Sequence, residues 1–247
     1  MRSKVATKAS RPEEPRLLSP SKGYRDEALG LIFAPFARGD GFRHGAIGST
    51  GFGKTFSTRI VIAQALERGI VDVVLTHDVK GAQPEFEGVY LRTVEEAANA
   101  GDANHLVFRG DPYSGQQLEV EAVAELGMRL AQRERLRVLL NIGELGNATT
   151  EGGRGWRSPS ALWFLTQGRA LGCSFTWTVQ QPKRAPDEIF DLSSTIAYHH
   201  LDERSANYLG GTLLLEEQMV RVMPELIEGE FVVRPQGREW NRRVYRF

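Results

Sequence analysis

The chain has 247 residues, of which 41% are apolar and 25% charged, proportions that exclude a wholly disordered chain. Its 31 basic and 31 acidic residues cancel, and a single cysteine, Cys173, excludes an internal disulfide framework and a cysteine-cluster zinc site. No apolar run approaches the roughly 18 residues of a membrane span, and the polar, basic N-terminus carries no visible signal peptide, so a soluble protein of a reducing compartment is expected.

Charge is unevenly spread. Residues 1–22 carry six Lys/Arg against two Glu, and residues 233–247 carry five Arg against one Glu. Two basic ends on a neutral chain suit either an anionic polymer or plain solvation. The first 25 residues, rich in proline, serine and basic side chains, read as a flexible basic arm; residues 26–247 read as one domain with a basic C-terminal tail. Within it, Phe42 to Ile47 is a strand candidate that ends in a glycine-rich turn. Lys54 to Arg68 is a helix stopped by Gly69, and Val71 to Thr76 a strand. His105 to Phe108 is a strand, Gln117 to Arg133 a helix and Arg137 to Ile142 a strand. Pro159 to Leu171 is a helix with Ser158 as N-cap and Gly172 at its end. Strands at Ser174 to Val179 and Thr195 to His199 are followed by a helix from Asp202 to Leu209. Glu230 to Arg234 and Trp240 to Tyr245 form a C-terminal hairpin around Pro235-Gln236-Gly237. The alternation predicts an α/β fold, with a mostly parallel sheet and helices on both faces.

Gly48-Ser49-Thr50-Gly51-Phe52-Gly53-Lys54-Thr55 fits G-x-x-x-x-G-K-[ST], between a strand and a helix. From the composition of this chain the pattern arises by chance at roughly 0.7%, so a nucleoside triphosphate site is the reading adopted. The glycines let backbone N–H groups curl around phosphate, and the helix N-terminus adds partial positive charge. Lys54 reaches the outer phosphates of ATP, and the Thr55 hydroxyl ligates Mg²⁺. Hydrolysis also needs a carboxylate at a neighbouring strand end. Leu139-Leu140-Asn141-Ile142-Gly143-Glu144 offers Glu144, with Gly143 where an Asp often stands. His199 and His200 lack a third ligand, so no zinc is assigned, and Cys173 reads as a buried thiol.

Four segments in order resemble the FtsK/HerA superfamily of P-loop DNA-translocating ATPases, over roughly residues 40–210. They are GSTGFGKT; the strand ending in Asp78-Val79-Lys80-Gly81; the strand ending at Glu144; and Gly168-Arg169-Ala170-Leu171-Gly172 followed by Ser174 to Val179 and Gln180-Gln181-Pro182. The resemblance implies a RecA-like core that assembles into a homo-oligomeric ring, usually hexameric, around double-stranded DNA. It implies that Gln180 or Gln181 senses the γ-phosphate. Arg169 becomes the arginine finger reaching a neighbouring subunit, with Arg154 and Arg157 as rivals. Asp78 is a weak substitute for the carboxylate absent at 143. A core with only short basic arms is similar to the genome-packaging ATPases of membrane-containing double-jelly-roll viruses, which implies a capsid vertex or portal as partner and a host-cytoplasmic or virion-associated location. Alternatives are a conjugation, secretion or phage-assembly ATPase of the same superfamily, or a P-loop small-molecule kinase. The glycine-rich loop 146–157, with Arg154, Trp156 and Arg157, is the candidate DNA contact.

Overall fold

A computed structural model describes residues 24–78, 86–109, 120–149, 155–238, 240 and 242–247. In chain order these form helix α1 (Tyr24–Phe33), β1 (Arg43–Ile47), α2 (Lys54–Glu67), β2 (Val73–His77), β3 (Val89–Leu91), β4 (His105–Phe108), α3 (Val120–Arg133), β5 (Val138–Ile142), α4 (Pro159–Thr166), β6 (Ser174–Val179), α5 (Asp187–Leu192), β7 (Thr195–Tyr198), α6 (Glu203–Leu213), α7 (Glu217–Val222), β8 (Glu230–Pro235) and β9 (Val244–Arg246). The strands make one sheet in the order β3-β4-β2-β5-β6-β1-β7-β8-β9. The seven strands from β3 to β7 in that order run parallel. β8 runs antiparallel to β7, and β9 to β8. The expected C-terminal hairpin is therefore the outer part of a three-stranded antiparallel edge.

The parallel strands are buried on both faces, and their two sets of alternate residues enter different cores. Leu75, Leu140, Phe175, Trp177 and Ile47 pack on the face covered by α3 to α7. Val74, Val107 and Leu139 pack on the opposite face against Leu29 and Ile32 of α1 and Val61 and Ile62 of α2. Helices thus lie on both faces, as the strand–helix alternation predicts.

Strands β4 and β6 coincide with their predicted spans, and the remaining predicted strands except the last begin within two residues of theirs. The predicted helix 159–171 divides: α4 ends at Thr166, and Gly168–Leu171 tightens into a 3₁₀ turn. A Cβ at Gly168 would lie 2.9 Å from the Trp163 ring, so any larger residue there would have to displace that ring. The last strand starts at Val244, not at Trp240, whose side chain is buried. Helices α5 and α7 have six residues each, too few to display a helical period. Of the expected basic arm, 1–25, residues 1–23 lie outside the described residues while Tyr24 and Arg25 open α1; the DVKG motif beyond Asp78 also lies outside them.

A buried polar row crosses the sheet beneath α1 and α2. His105 Nε2 lies 2.9 Å from the Thr76 hydroxyl. Asn141 Nδ2 donates to Thr76 Oγ1 at 3.3 Å, and Thr176 Oγ1 donates to Asn141 Oδ1 at 2.9 Å. His44 on β1 pairs in register with Thr176, and its Nδ1 lies 2.9 Å from the Thr195 hydroxyl on β7. Burial pushes the His44 imidazole down to about 3 and that of His105 to about 4, from an ordinary 6.5.

These histidines stay neutral in the fold and take a proton once unfolded. The stability they permit is complete above about pH 6.5 and is lost as pH falls towards their folded values, by up to about 1.4 kcal/mol per pH unit for each. Urea unfolding from pH 7 to 5 should show this decline. His44→Asn, which keeps a donor near the Nδ1 position, should flatten the slope by about one proton; an unchanged slope would exclude His44 as its source.

Candidate nucleotide site

The loop after β1 is built for close backbone approach. Gly51 and Gly53 have φ of 84° and 89°, the left-handed region that other residues rarely adopt. A Cβ at Gly48 would lie 2.7 Å from the His199 Cβ, and one at Gly53 would lie 3.2 Å from the Gly229 Cα. At Gly51 a Cβ meets nothing within 4 Å, so this is the open side of the loop. The back is anchored to both neighbouring strands. Gly48 N–H donates to the Val179 carbonyl at the end of β6 (3.3 Å), and Ser49 N–H donates to the His200 carbonyl just past β7 (2.8 Å).

Helix α2 begins at Lys54 with Gly53 as a cap that supplies no side chain, so its first N–H groups face the loop. Lys54 is 5% exposed, and its Nζ donates to the Ser49 carbonyl across the loop at 2.7 Å. A glycine hollow, a helix start without a side-chain cap and a nearly buried ammonium together fit a nucleotide's phosphates. Thr55, the next residue, is half-buried and fits a hydroxyl ligand for Mg²⁺.

Two histidines close the back of the loop. His199 is fully buried, with Nδ1 3.0 Å from the Phe52 carbonyl and Nε2 3.1 Å from the Ser57 hydroxyl. Burial, and then the Lys54 charge, push its imidazole down to about 3, so it is neutral. The His200 ring stacks on Phe52 at 4.1 Å between centroids. The sequence reads the pair as packing or facing solvent at a strand end rather than binding metal, and His199 does pack; nothing local to His199-His200 reveals that β7 ends beside the loop.

Of the two glutamines, Gln180 meets the loop. The Thr50 hydroxyl donates to Gln180 Oε1 at 3.0 Å. Gln181 is exposed and opens the 3₁₀ turn Pro182–Arg184. Glu144 is half-buried, extended past the end of β5. β6 separates β5 from β1, so Glu144 stands about 10 Å across the sheet from the loop's strand. Gly143 sits tightly: its N–H donates to the His77 carbonyl at 3.0 Å, and its carbonyl accepts from Thr178. A Cβ at 143 would lie 3.2 Å from that His77 oxygen, so the β2 end must yield before an Asp fits. Asp78, 1% exposed, follows β2, three strands or about 14 Å from β1 and farther than Glu144.

Arg169 lies elsewhere. It is exposed, in the turn before β6, and its carbonyl accepts from Gly41 N–H at 3.1 Å just before β1. It therefore occupies the opposite edge of the sheet, about 17 Å from the loop along five-residue β1. Arg157 is exposed, with its N–H on the Ala148 carbonyl at 2.8 Å. Trp156 is half-buried against the main core and pairs with Thr149 across the loop base. Arg154 lies outside the described residues. Among the described residues no group of three metal-ligating side chains occurs, and no helix is long and apolar enough to cross a membrane.

No protein-family profile and no curated protein matches the chain in sequence. Solved structures do. The genome packaging NTPase B204 of Sulfolobus turreted icosahedral virus 2, in complex with ATPγS, is 11% identical with a TM-score of 0.62, over 80% of this chain and 93% of that one. VirB4 of Thermoanaerobacter pseudethanolicus is 9% identical with a TM-score of 0.62, over 79% and 87%. The chain shares the fold of these two proteins. In this fold the described P-loop residues, Gln180 and Glu144 share the C-terminal edge of the parallel strands, where open α/β sheets bind ligands.

The first P-loop glycine is the most constrained by its surroundings. Gly48→Ala should weaken ATP binding at least tenfold in calorimetry while the far-UV spectrum stays intact; unaltered affinity would mean that His199 and the loop can part at no cost.

Proposed function

We propose that the chain hydrolyses ATP to drive movement of double-stranded DNA, as a motor of the genome-packaging kind. The observation that carries this reading is the Thr50–Gln180 contact beneath a glycine hollow that also holds Lys54, in a fold shared with B204. Lys54 and the first N–H groups of α2 bind and orient the outer phosphates. The Gln180 amide, released from Thr50, donates to the γ-phosphate and holds the attacking water. Glu144 takes the proton of that water as it adds to the γ-phosphorus. The bond from that phosphorus to the bridging oxygen breaks, leaving ADP and inorganic phosphate. Thr55 and Glu144 would hold Mg²⁺, which neutralises developing phosphate charge.

Arg169 acts in trans on this reading. Its place on the far sheet edge suits a cation presented to a neighbouring subunit's nucleotide, so firing requires the ring. DNA contact falls to the loop 146–157 through Arg154 and Arg157, and to the basic ends, as sequence-independent phosphate contacts. Trp156 serves that loop by anchoring its base. VirB4 supports a second reading, an ATPase of a secretion or conjugation system, by an equal TM-score. Glu144 and Gln180 argue against a small-molecule kinase, which must avoid activating water.

Steady-state ATP turnover with and without long double-stranded DNA tests the motor. DNA should stimulate it several-fold; turnover that ignores DNA would sink the motor reading. Lys54→Ala should abolish turnover. Glu144→Gln should keep ATP binding and lose about a hundredfold or more in rate. Mixed Lys54→Ala and Arg169→Ala subunits should recover turnover that neither has alone; if no mixture recovers any, Arg169 is not a finger.

A further inference from the structure

The structure assigns His199 a positioning role: through its ring nitrogens it fixes the P-loop to the first turn of α2. The inference rests on the reading of this loop as an ATP site. The Phe52 carbonyl can only accept, so Nδ1 carries the proton in that 3.0 Å contact. Nε2 of this neutral ring then accepts from the Ser57 hydroxyl at 3.1 Å, whose single proton is shared between that nitrogen and the Lys54 carbonyl 2.8 Å away. One imidazole thus links the residue before the last P-loop glycine to Ser57 in the first turn of α2. The ring is fully buried, and the missing Cβ of Gly48 makes the room it needs.

The neighbouring His200 adds the second half of the clamp. Its carbonyl accepts from Ser49 N–H, its ring stacks on Phe52, and its Nδ1 lies 3.1 Å from the Leu226 carbonyl in the segment before β8. Consecutive residues at the end of β7 therefore grip the loop at positions 49 and 52. The hydrogen bond to Phe52 matters most for function. That carbonyl, turned inward to His199, is kept out of the hollow, where a carbonyl oxygen would repel phosphate. His199 does not itself touch nucleotide and is a positioning residue.

The test compares His199→Leu, His199→Asn and the unaltered chain for binding of ATP with Mg²⁺ by calorimetry, beside thermal unfolding. Asn places a donor where Nδ1 was and keeps the Phe52 bond; Leu fills the space without it. Leu should weaken binding about tenfold, and Asn should restore it to within about threefold. Equal affinity in all three, or an Asn variant no better than Leu at the same melting temperature, overturns the assignment. If His199→Leu does not fold, His200→Ala carries the test: its half-exposed ring can be removed, and binding should fall a few-fold, whereas unchanged affinity overturns the clamp. Failure of the unaltered chain to bind ATP would instead overturn the nucleotide-site reading, so the two failures are distinct.

Discussion

A phosphate can be held by bare backbone only where no side chain intervenes, and a loop without side chains cannot hold its own shape. That tension organises this molecule. Gly48, Gly51 and Gly53 give the loop its hollow, and each also removes a side chain that might have packed the loop in place. The support comes from behind, by backbone bonds to β6 and to the residue after β7. It requires β1 to lie between those two strands, which is the middle of the sheet. The site and the topology are therefore one constraint: an edge strand could not carry this loop.

The sheet in turn must hold its register, because a slip of one residue would exchange the two cores. Strands buried on both faces have no polar face to specify register. The row His105, Thr76, Asn141 and Thr176 supplies polar partners that meet in one alignment only, and His44 with Thr195 extends it across β1. A half-satisfied member would be costly in that interior, which favours the single register that satisfies all of them. The same strand ends carry Gly48, Gln180 and Glu144, so register also sets the relative heights of the groups around the nucleotide.

What was legible in the sequence follows from what is local. The P-loop motif lies within eight consecutive residues, and the strand–helix alternation is periodic, so both could be read directly. The short helices α5 and α7 and the three-residue β3 lack a period long enough to see. The polar row was invisible for another reason: its members come from β1, β2, β4, β5, β6 and β7, and only the sheet order shows which of them adjoin. The choice between Gln180 and Gln181 turned on alternation. Successive strand residues point to opposite sides, and one residue decides which amide meets Thr50. The close approach of Gly143 to the carbonyl of His77 on the adjoining strand is likewise contained in no local pattern.

One division within the fold bears on how such a motor would be controlled. The groups proposed to hold phosphate are close together in a single chain: Lys54, the α2 start and Gln180 belong to adjacent strand ends. Arg169 stands at the other edge of the sheet, with its turn joined by hydrogen bonding to the entry of β1. No side-chain motion spans that distance, since an extended arginine reaches less than half of about 17 Å. A cation needed at the nucleotide from this position must come from another copy, arranged so that one subunit's strand entries face the next subunit's P-loop. Binding would then be a property of the chain and hydrolysis a property of the assembly. β1 and β6 connect the two edges: Gly48 N–H bonds the Val179 carbonyl at one end, and Gly41 N–H bonds the Arg169 carbonyl at the other.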